Sequence, residues 1–142
     1  TGRPLGQREA DVTLAPLSAT EAASLPDADL FAGAAPATSY AVADLMVGGR
    51  EVSRAVIERL PPKDMAYPDP GLTATWQGDR LTVAARALAR AIMLDFGAAV
   101  AHPSDNGFDL LPGESRTVTV ASSTTPAQLA HALTLRSLGS RR

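Results

Sequence analysis

The strongest indication of the fold lies in Asp95-Phe96-Gly97 and, after four intervening residues, His102-Pro103-Ser104-Asp105-Asn106-Gly107-Phe108-Asp109-Leu110-Leu111-Pro112-Gly113-Glu114. The run that follows, Ser115-Arg116-Thr117-Val118-Thr119-Val120, alternates polar and apolar residues, which is typical of a half-buried strand. The stretch contains Asn106 and several Asp, Gly and Pro residues, and these residue types form ordered turns. The sequence therefore predicts an ordered loop between two strands.

Within this loop we expect the side-chain oxygens of Asp105 and Asn106 to bond the backbone of their own turn, with Asn106 or Gly107 at a positive φ. Phe108 and Leu110 are then expected to fill a core. The segment Leu111-Pro112-Gly113-Glu114 is expected to turn the chain into the following strand.

A bolder alternative for the loop is a histidine–carboxylate pair or a metal site made from His102, Asp105 and Asp109, which are suitable ligand types. Their spacing does not follow the Asp-x-Asp/Asn-x-Asp/Asn-Gly pattern of calcium loops. We therefore predict no metal, no cofactor and no catalytic residue here, and a structural role for Asp105, Asn106, Phe108, Pro112 and Gly113.

The run before this loop gives two conflicting signals. Leu72–Trp76 and Arg80–Ala84 flank the short turn Gln77-Gly78-Asp79, as in a hairpin. From residue 80 to residue 93 the chain is rich in Ala, Leu and Arg, which by propensity alone favours a helix. A two-residue period fits as well, with Ile92, Leu94 and Phe96 on one face and Met93 and Asp95 on the other.

The sequence of this region resembles the C-terminal immunoglobulin-like domain of bacterial β-mannosidases of glycoside hydrolase family two. There, a strand ending in Leu-Asp-Phe-Gly leads into Ser-Asp-Asn, then Phe-Asp-Leu-Leu-Pro-Gly-Glu and another strand, as residues 94–114 do here. The resemblance implies an all-β, immunoglobulin-like sandwich, with two strands joined near residues 86–89 instead of one helix. It covers residues 64–138 well and residues 5–62 more loosely. One departure is Gly107, where the family often has an aromatic residue.

The end of the chain carries its own helix signal. Thr125-Pro126-Ala127-Gln128 matches a capping box with proline at the first helical position, so we predict a short helix to about His131. The alternation of Thr134 and Arg136 with Leu133 and Leu135 predicts a last strand ending at Leu138, before a frayed tail over residues 139–142.

The first part of the chain is harder to interpret. Two glycines in Val47-Gly48-Gly49-Arg50 predict a tight hairpin between the runs 40–46 and 51–60. We also predict a strand over Leu17–Leu25 and a helical turn over Asp27–Phe31, while Ala10–Leu14 alternates moderately.

Four prolines and a glycine between Pro61 and Gly71 divide the chain, because proline removes backbone donors and holds the chain extended. We assign residues 1–62 to part of a sandwich domain, 63–71 to a linker and 72–138 to the immunoglobulin-like domain. The resemblance implies that residues 1–62 are the second half of the preceding sandwich in the same enzymes. We then expect them to be ordered only when they pair with material outside this sequence.

Composition excludes several classes of function. The net charge of −2 and the pI near 5.6 give no general attraction to nucleic acid or to an anionic membrane. The absence of cysteine excludes disulfides and thiol chemistry.

No initiator Met or leader precedes Thr1-Gly2-Arg3-Pro4, so we interpret the chain as an internal piece of a longer polypeptide. Its arginine and alanine content suggests a high-GC bacterial gene. For the location of the protein, we favour the periplasm or secretion over the cytoplasm.

A retaining glycosidase needs two carboxyl groups about 5 to 5.5 Å apart. In the resembling family the acid/base glutamate follows an asparagine, whereas Asn106 here is followed by glycine. The chain is also too short for the barrel of about 250 residues that carries such a site. We predict that this chain alone hydrolyses nothing.

Several other side chains have two interpretations. Trp76 could form a sugar-stacking platform, but we favour a core position because only 4% of the chain is aromatic. Tyr67 could pin one domain to the next. Arg86 and Arg90 are expected on an exposed face or beside carboxylates of a neighbouring domain, and His131 is expected to face solvent.

The resulting expectation is a non-catalytic accessory region of an exo-acting β-mannosidase that removes terminal β-linked mannose. Its partners would be the catalytic barrel and neighbouring sandwiches of the same polypeptide, and a carbohydrate substrate through the parent enzyme. The alternatives are an independent carbohydrate-binding module or a surface adhesion or interaction domain.

Overall fold

The computed structural model describes residues 2–139. They form two compact units, residues 3–65 and residues 66 onward. The tail predicted to fray lies outside the described residues from residue 140 onward. Among the described residues, no helix combines the length and the apolar character needed to cross a membrane.

The first unit is built around a hairpin. Its elements are helix α1 (Asp27–Phe31), a 3-10 turn (Pro36–Thr38), strand β1 (Tyr40–Val47), strand β2 (Arg50–Glu58) and a 3-10 turn (Pro62–Asp64). The strands are antiparallel, and Val47 pairs with Arg50 across the turn. Gly48 and Gly49 have φ angles of +58° and +78°, which suit the tight turn that the sequence predicts. The predicted hairpin and helical turn are therefore confirmed.

The strand predicted over Leu17–Leu25 is wrong. Residues 2–26 contain neither helix nor strand, and Leu17 is fully exposed with a φ of +55°. A strand is stable only when a neighbour bonds its backbone, and no strand in the described part of the chain pairs with this segment.

Strands are the main regular elements of the second unit. Its elements are β3 (Thr73–Gln77), β4 (Arg80–Ala84), β5 (Ala89–Asp95), β6 (His102–Pro103), β7 (Phe108–Leu110), β8 (Ser115–Ala121), helix α2 (Pro126–Ala132) and β9 (Thr134–Leu138). One sheet has the order β3-β4-β8-β6 and the other the order β7-β5-β9, with antiparallel neighbours throughout. Four strands opposite three is the arrangement of an immunoglobulin-like sandwich, so the predicted fold class is confirmed.

The two sheets enclose one apolar core. Ile92, Leu94 and Phe96 are buried, whereas Met93 is 47% exposed, as the two-residue period predicts. Burial between sheets thus outweighs the helical propensity of this run, which is worth well under ~1 kcal/mol per residue. The core comprises Leu81, Val83, Ala85, Ala89, Ile92, Leu94, Phe96, Phe108, Leu110, Val118, Val120 and Leu129.

Helix α2 leads from one sheet to the other. Thr125 and Gln128 form the predicted capping box, in which Gln128 N donates to Thr125 Oγ1 at 3.4 Å and Thr125 N donates to Gln128 Oε1 at 3.2 Å. Leu129 on this helix is buried in the core, and His131 is exposed. The predicted helix and the strand that follows it are confirmed.

The extended segment 66–71 begins the second unit and is bonded to the connection between β4 and β5. Pro70 is fully buried, and its carbonyl accepts hydrogen bonds from Arg86 N at 2.8 Å and Ala87 N at 3.2 Å. Gly71 has a φ of +56°, and the Arg86 guanidinium occupies the space where a Cβ would stand. Tyr67 lies against Gly139 of the same unit.

Candidate functional site

The Ser-Asp-Asn segment of the loop moves the chain from one sheet to the other. Ser104 N donates to Thr119 O at 2.7 Å, and Ser104 Oγ accepts from Thr119 N at 3.0 Å, so Ser104 extends the pairing with β8. Asn106 Oδ1 accepts from Leu94 N at 2.8 Å, and Asn106 Nδ2 donates to Leu94 O at 3.3 Å. These two bonds extend the pairing along the edge of β5 that faces β7. We call residues 104–106 the sheet-switch loop.

This arrangement differs from the expected self-contained turn. Asn106 Oδ1 does accept from Gly107 N at 3.1 Å, but its shorter bond is to the distant Leu94. Gly107 has a φ of +81°, and its N donates to Ile92 O at 2.9 Å. The asparagine amide therefore acts as a substitute for a strand residue, because its donor and acceptor match those of a peptide group.

Asp105 bonds a side chain and not the backbone of its turn. Its carboxylate lies 2.6 Å from Arg116 Nη1, and both side chains are 44% exposed. The Arg116 guanidinium carbon also lies 4.9 Å from the centre of the Phe108 ring, within the range of a cation–π contact. The pair covers the outer side of a buried aromatic residue.

Asp109 supports an irregularity in β5. Its Oδ1 accepts from Ala91 N at 2.8 Å, and its Oδ2 lies 3.3 Å from Arg90 Nε. The pairing of β5 with both neighbours shifts register here, and Ala91 has a φ of +50°, which is costly for a residue with a Cβ. The carboxylate beside Arg90 thus comes from its own sandwich, which corrects the expectation of an exposed face or a neighbouring domain.

The end of the loop is held by a compact turn. Phe108 and Leu110 are buried in the core. Glu114 N donates to Leu111 O at 3.0 Å, and Glu114 Oε2 accepts from Leu111 N at 2.9 Å, which closes the turn in both directions. Pro112 and Gly113 form its tip, with Gly113 at a φ of +85°.

The three candidate metal ligands are not brought together. His102 lies on β6 and is exposed, while Asp105 and Asp109 are each engaged by a different arginine. Across residues 2–139, no group of three histidine, aspartate or glutamate side chains is arranged to hold a metal ion.

A depression of about 480 Å³ lies beside the sheet-switch loop. Its lining residues are Met93, Leu94, Asp95, Phe96, Gly97, Ala99, Ala101, Pro103, Asn106 and Arg136. Asp95 accepts from Gly97 N at 2.9 Å and lies 3.1 Å from Arg136 Nη2. Asp95 is the one acidic residue among these described lining residues, so the depression lacks the carboxyl pair that retaining glycoside hydrolysis needs.

Trp76 lies at the margin of the core. Its ring meets Phe96 edge to face, with centroids 6.3 Å apart and planes at 63°. The indole Nε1 is buried and has no hydrogen-bond partner among the described residues. Trp76 is half-buried and packs against the core, as the sequence predicts.

Sequence reasoning missed the roles of Ser104 and of the Asp95–Arg136 pair. For Ser104 a signal was present, because it lies within the polar segment and precedes Asn106 by two residues. For Asp95 and Arg136 no local signal exists, since the two residues meet only through the pairing of β5 with β9.

The two facing antiparallel sheets of four and three strands define the second unit as an immunoglobulin-like sandwich domain. Residues 67–141 match the Ig-fold domain family of mannosidases, and residues 1–64 match the mannosidase Ig/CBM-like domain family. The chain therefore belongs to the immunoglobulin-like domains of glycoside hydrolase family two mannosidases. A search of the curated proteins found no match.

Proposed function

We propose that this chain is a non-catalytic accessory region of an exo-acting β-mannosidase, an enzyme that removes terminal β-D-mannose residues from oligosaccharides. The observation that carries the proposal is the pair of matches to mannosidase immunoglobulin-like domains, which together span most of the chain. Such domains work within a multidomain enzyme, so the partners proposed here are other domains of the same polypeptide, including a catalytic barrel.

The chemistry of the loop supports a structural role. Asp95, Asp105 and Asp109 are paired with Arg136, Arg116 and Arg90, respectively. A carboxyl group must reach the sugar to act as an acid or as a nucleophile, and each of these three carboxylates instead contacts an arginine of its own unit. The loop residues Asp105, Asn106, Phe108, Pro112 and Gly113 are therefore proposed to close the sandwich and to leave substrate binding to the parent enzyme.

A second candidate is an independent carbohydrate-binding module. The description of the family matched by residues 1–64 includes the words CBM-like, and this favours sugar binding by the first unit. For the second unit, Trp76 is the sugar-contacting residue that this alternative requires.

Titration of the full chain separates the two candidates. We expect neither mannose nor β-1,4-linked manno-oligosaccharides to change the Trp76 fluorescence or to release heat in calorimetry. We also expect the pure chain not to hydrolyse 4-nitrophenyl β-mannoside. Saturable binding that is lost in Trp76→Ala would support the module, and turnover by the pure chain would contradict the accessory role.

The exo-acting β-mannosidase itself is tested on the complete gene product. Its reading frame is expected to encode a barrel with an Asn-Glu pair at a strand end, and the enzyme is expected to release mannose from the non-reducing end of mannobiose. Removal of residues 66–142 is expected to lower the yield of folded enzyme while the folded fraction keeps its kcat. A reading frame without a barrel would refute the assignment.

A further inference from the structure

Asn106 is the only asparagine of the chain, and a glycine follows it directly. In a flexible chain the Asn-Gly pair is especially prone to spontaneous deamidation, because glycine leaves the attacking backbone nitrogen unhindered and mobile. Both residues are exposed. Burial therefore does not protect the pair, and any protection comes from how the pair is held.

The reaction begins when Gly107 N loses its proton and attacks Cγ of Asn106. The new N–Cγ bond forms, the Cγ–Nδ2 bond breaks, and ammonia leaves with the added proton. Water then opens the resulting five-membered imide at either carbonyl, which gives aspartate or isoaspartate. Water is the only other reactant, so the step needs no cofactor or oxidant.

The structure opposes this attack at both reacting atoms. The Gly107 N–H is directed at Ile92 O and Asn106 Oδ1, at 2.9 Å and 3.1 Å, so its proton is held in hydrogen bonds. Both ends of the Asn106 amide are bonded to Leu94 of β5, at 2.8 Å and 3.3 Å, which stops the rotation that would turn Cγ toward the attacking nitrogen. Reaction thus requires the loop to leave β5 first.

We propose that Asn106-Gly107 is a deamidation site whose reaction is slowed by the hydrogen bonds between the sheet-switch loop and β5. We propose further that modification of Asn106 releases the loop from β5. An aspartate at this position cannot donate to Leu94 O as Nδ2 does. Isoaspartate also adds a methylene group to the backbone and moves Gly107 away from Ile92. Modification to aspartate therefore removes the Nδ2 bond to β5, and modification to isoaspartate also displaces the backbone of the loop.

The test is to incubate the full chain at mildly alkaline pH, with and without urea, and to follow the conversion by intact mass and peptide mapping. We expect the folded chain to deamidate at least about tenfold more slowly than the chain in urea, because the reactive form is reached only by local opening. Equal rates in the two conditions would overturn the proposal.

Two matched variants test whether the sheet-switch loop is the part of the fold that slows deamidation of Asn106. Arg116→Ala removes the ion pair of Asp105, which adjoins Asn106, and is expected to speed the reaction in the folded chain but not in urea. Arg54→Ala removes a comparable Arg–Asp pair of the first unit and is expected to change neither rate. If Arg116→Ala reacted no faster than Arg54→Ala, protection by this loop would be refuted.

Discussion

Residues 66–139 bury their apolar side chains between two sheets, whereas residues 3–65 leave many of theirs exposed. Among the described residues of the first unit, Phe31 is the one buried apolar side chain. The exposed large apolar side chains of that unit are Leu5, Val12, Leu14, Leu17, Leu25, Leu45, Met46, Val47, Val52 and Ile57. The two units thus differ in the source of their stability.

The hairpin of the first unit shows the difference most clearly. On one face, Ala41, Ala43 and Leu45 pair across the strands with Ile57, Ala55 and Ser53, and no charged side chain interrupts them. On the opposite face Asp44 bonds Arg54 at 2.7 Å. A two-stranded hairpin is marginal in water without a covered apolar face. We therefore expect the first unit to need contacts beyond those of its own described residues.

The largest effect should come from the core of the second unit. Leu81→Ala removes a fully buried side chain and is expected to lower the free energy of unfolding by about 2–5 kcal/mol. Leu45→Ala in the hairpin removes a side chain that is 44% exposed, and its effect should stay within about 0.5 kcal/mol. Urea unfolding followed by the fluorescence of Trp76, the single tryptophan, measures the second unit.

A similar shift of the Trp76 transition in both variants would break the comparison, because it would show that the hairpin contributes as much to that transition as the core does. A normal transition in Leu81→Ala would show that the cavity collapses at little cost.

A smaller effect is expected in the sheet-switch loop. Asn106→Ala leaves Leu94 N and Leu94 O without their partner in a residue that is 5% exposed, and should cost about 2 kcal/mol. Ser104→Ala removes one bond, to Thr119 N, and should cost about 1 kcal/mol. The same urea titration ranks the two variants. The reverse order would show that the loop is anchored mainly to β8 and not to β5.

Local sequence signals predicted the elements that are stabilised by neighbours along the chain. The paired glycines at residues 48 and 49 and the Thr125–Gln128 capping box act within a few residues, so the amino-acid sequence alone locates the hairpin and the helix. The two-residue period located the core face of β5 because burial alternates along a strand.

Contacts between distant residues were not predictable in this way. The sequence of residues 17–25 cannot reveal whether a partner strand exists, and the strand assigned there is absent. The turn residues around Asn106 suggested local bonds, but its main partner is a strand residue that only the folded sandwich brings near. Arg90 likewise finds its carboxylate through the pairing of β5 with β7.

The last predicted effect is local and concerns the polar contacts that organise the first unit. The Arg59 guanidinium lies 4.3 Å from the centre of the Phe31 ring and donates to Ala34 O at 2.8 Å, so it ties α1 to the end of the hairpin. Arg59→Ala is expected to lower the local opening free energy of residues 27–38 by about 1–2 kcal/mol. Hydrogen exchange measured by mass spectrometry should show faster exchange over residues 27–38 and no change over residues 80–96.

The control variant is Arg54→Ala, which breaks partly exposed ion pairs on the same hairpin and should lower the opening free energy by only about 0.5 kcal/mol. Equal exchange in the two variants would show that the contacts of Arg59 do not stabilise α1 and that the helix is held by the burial of Phe31 alone.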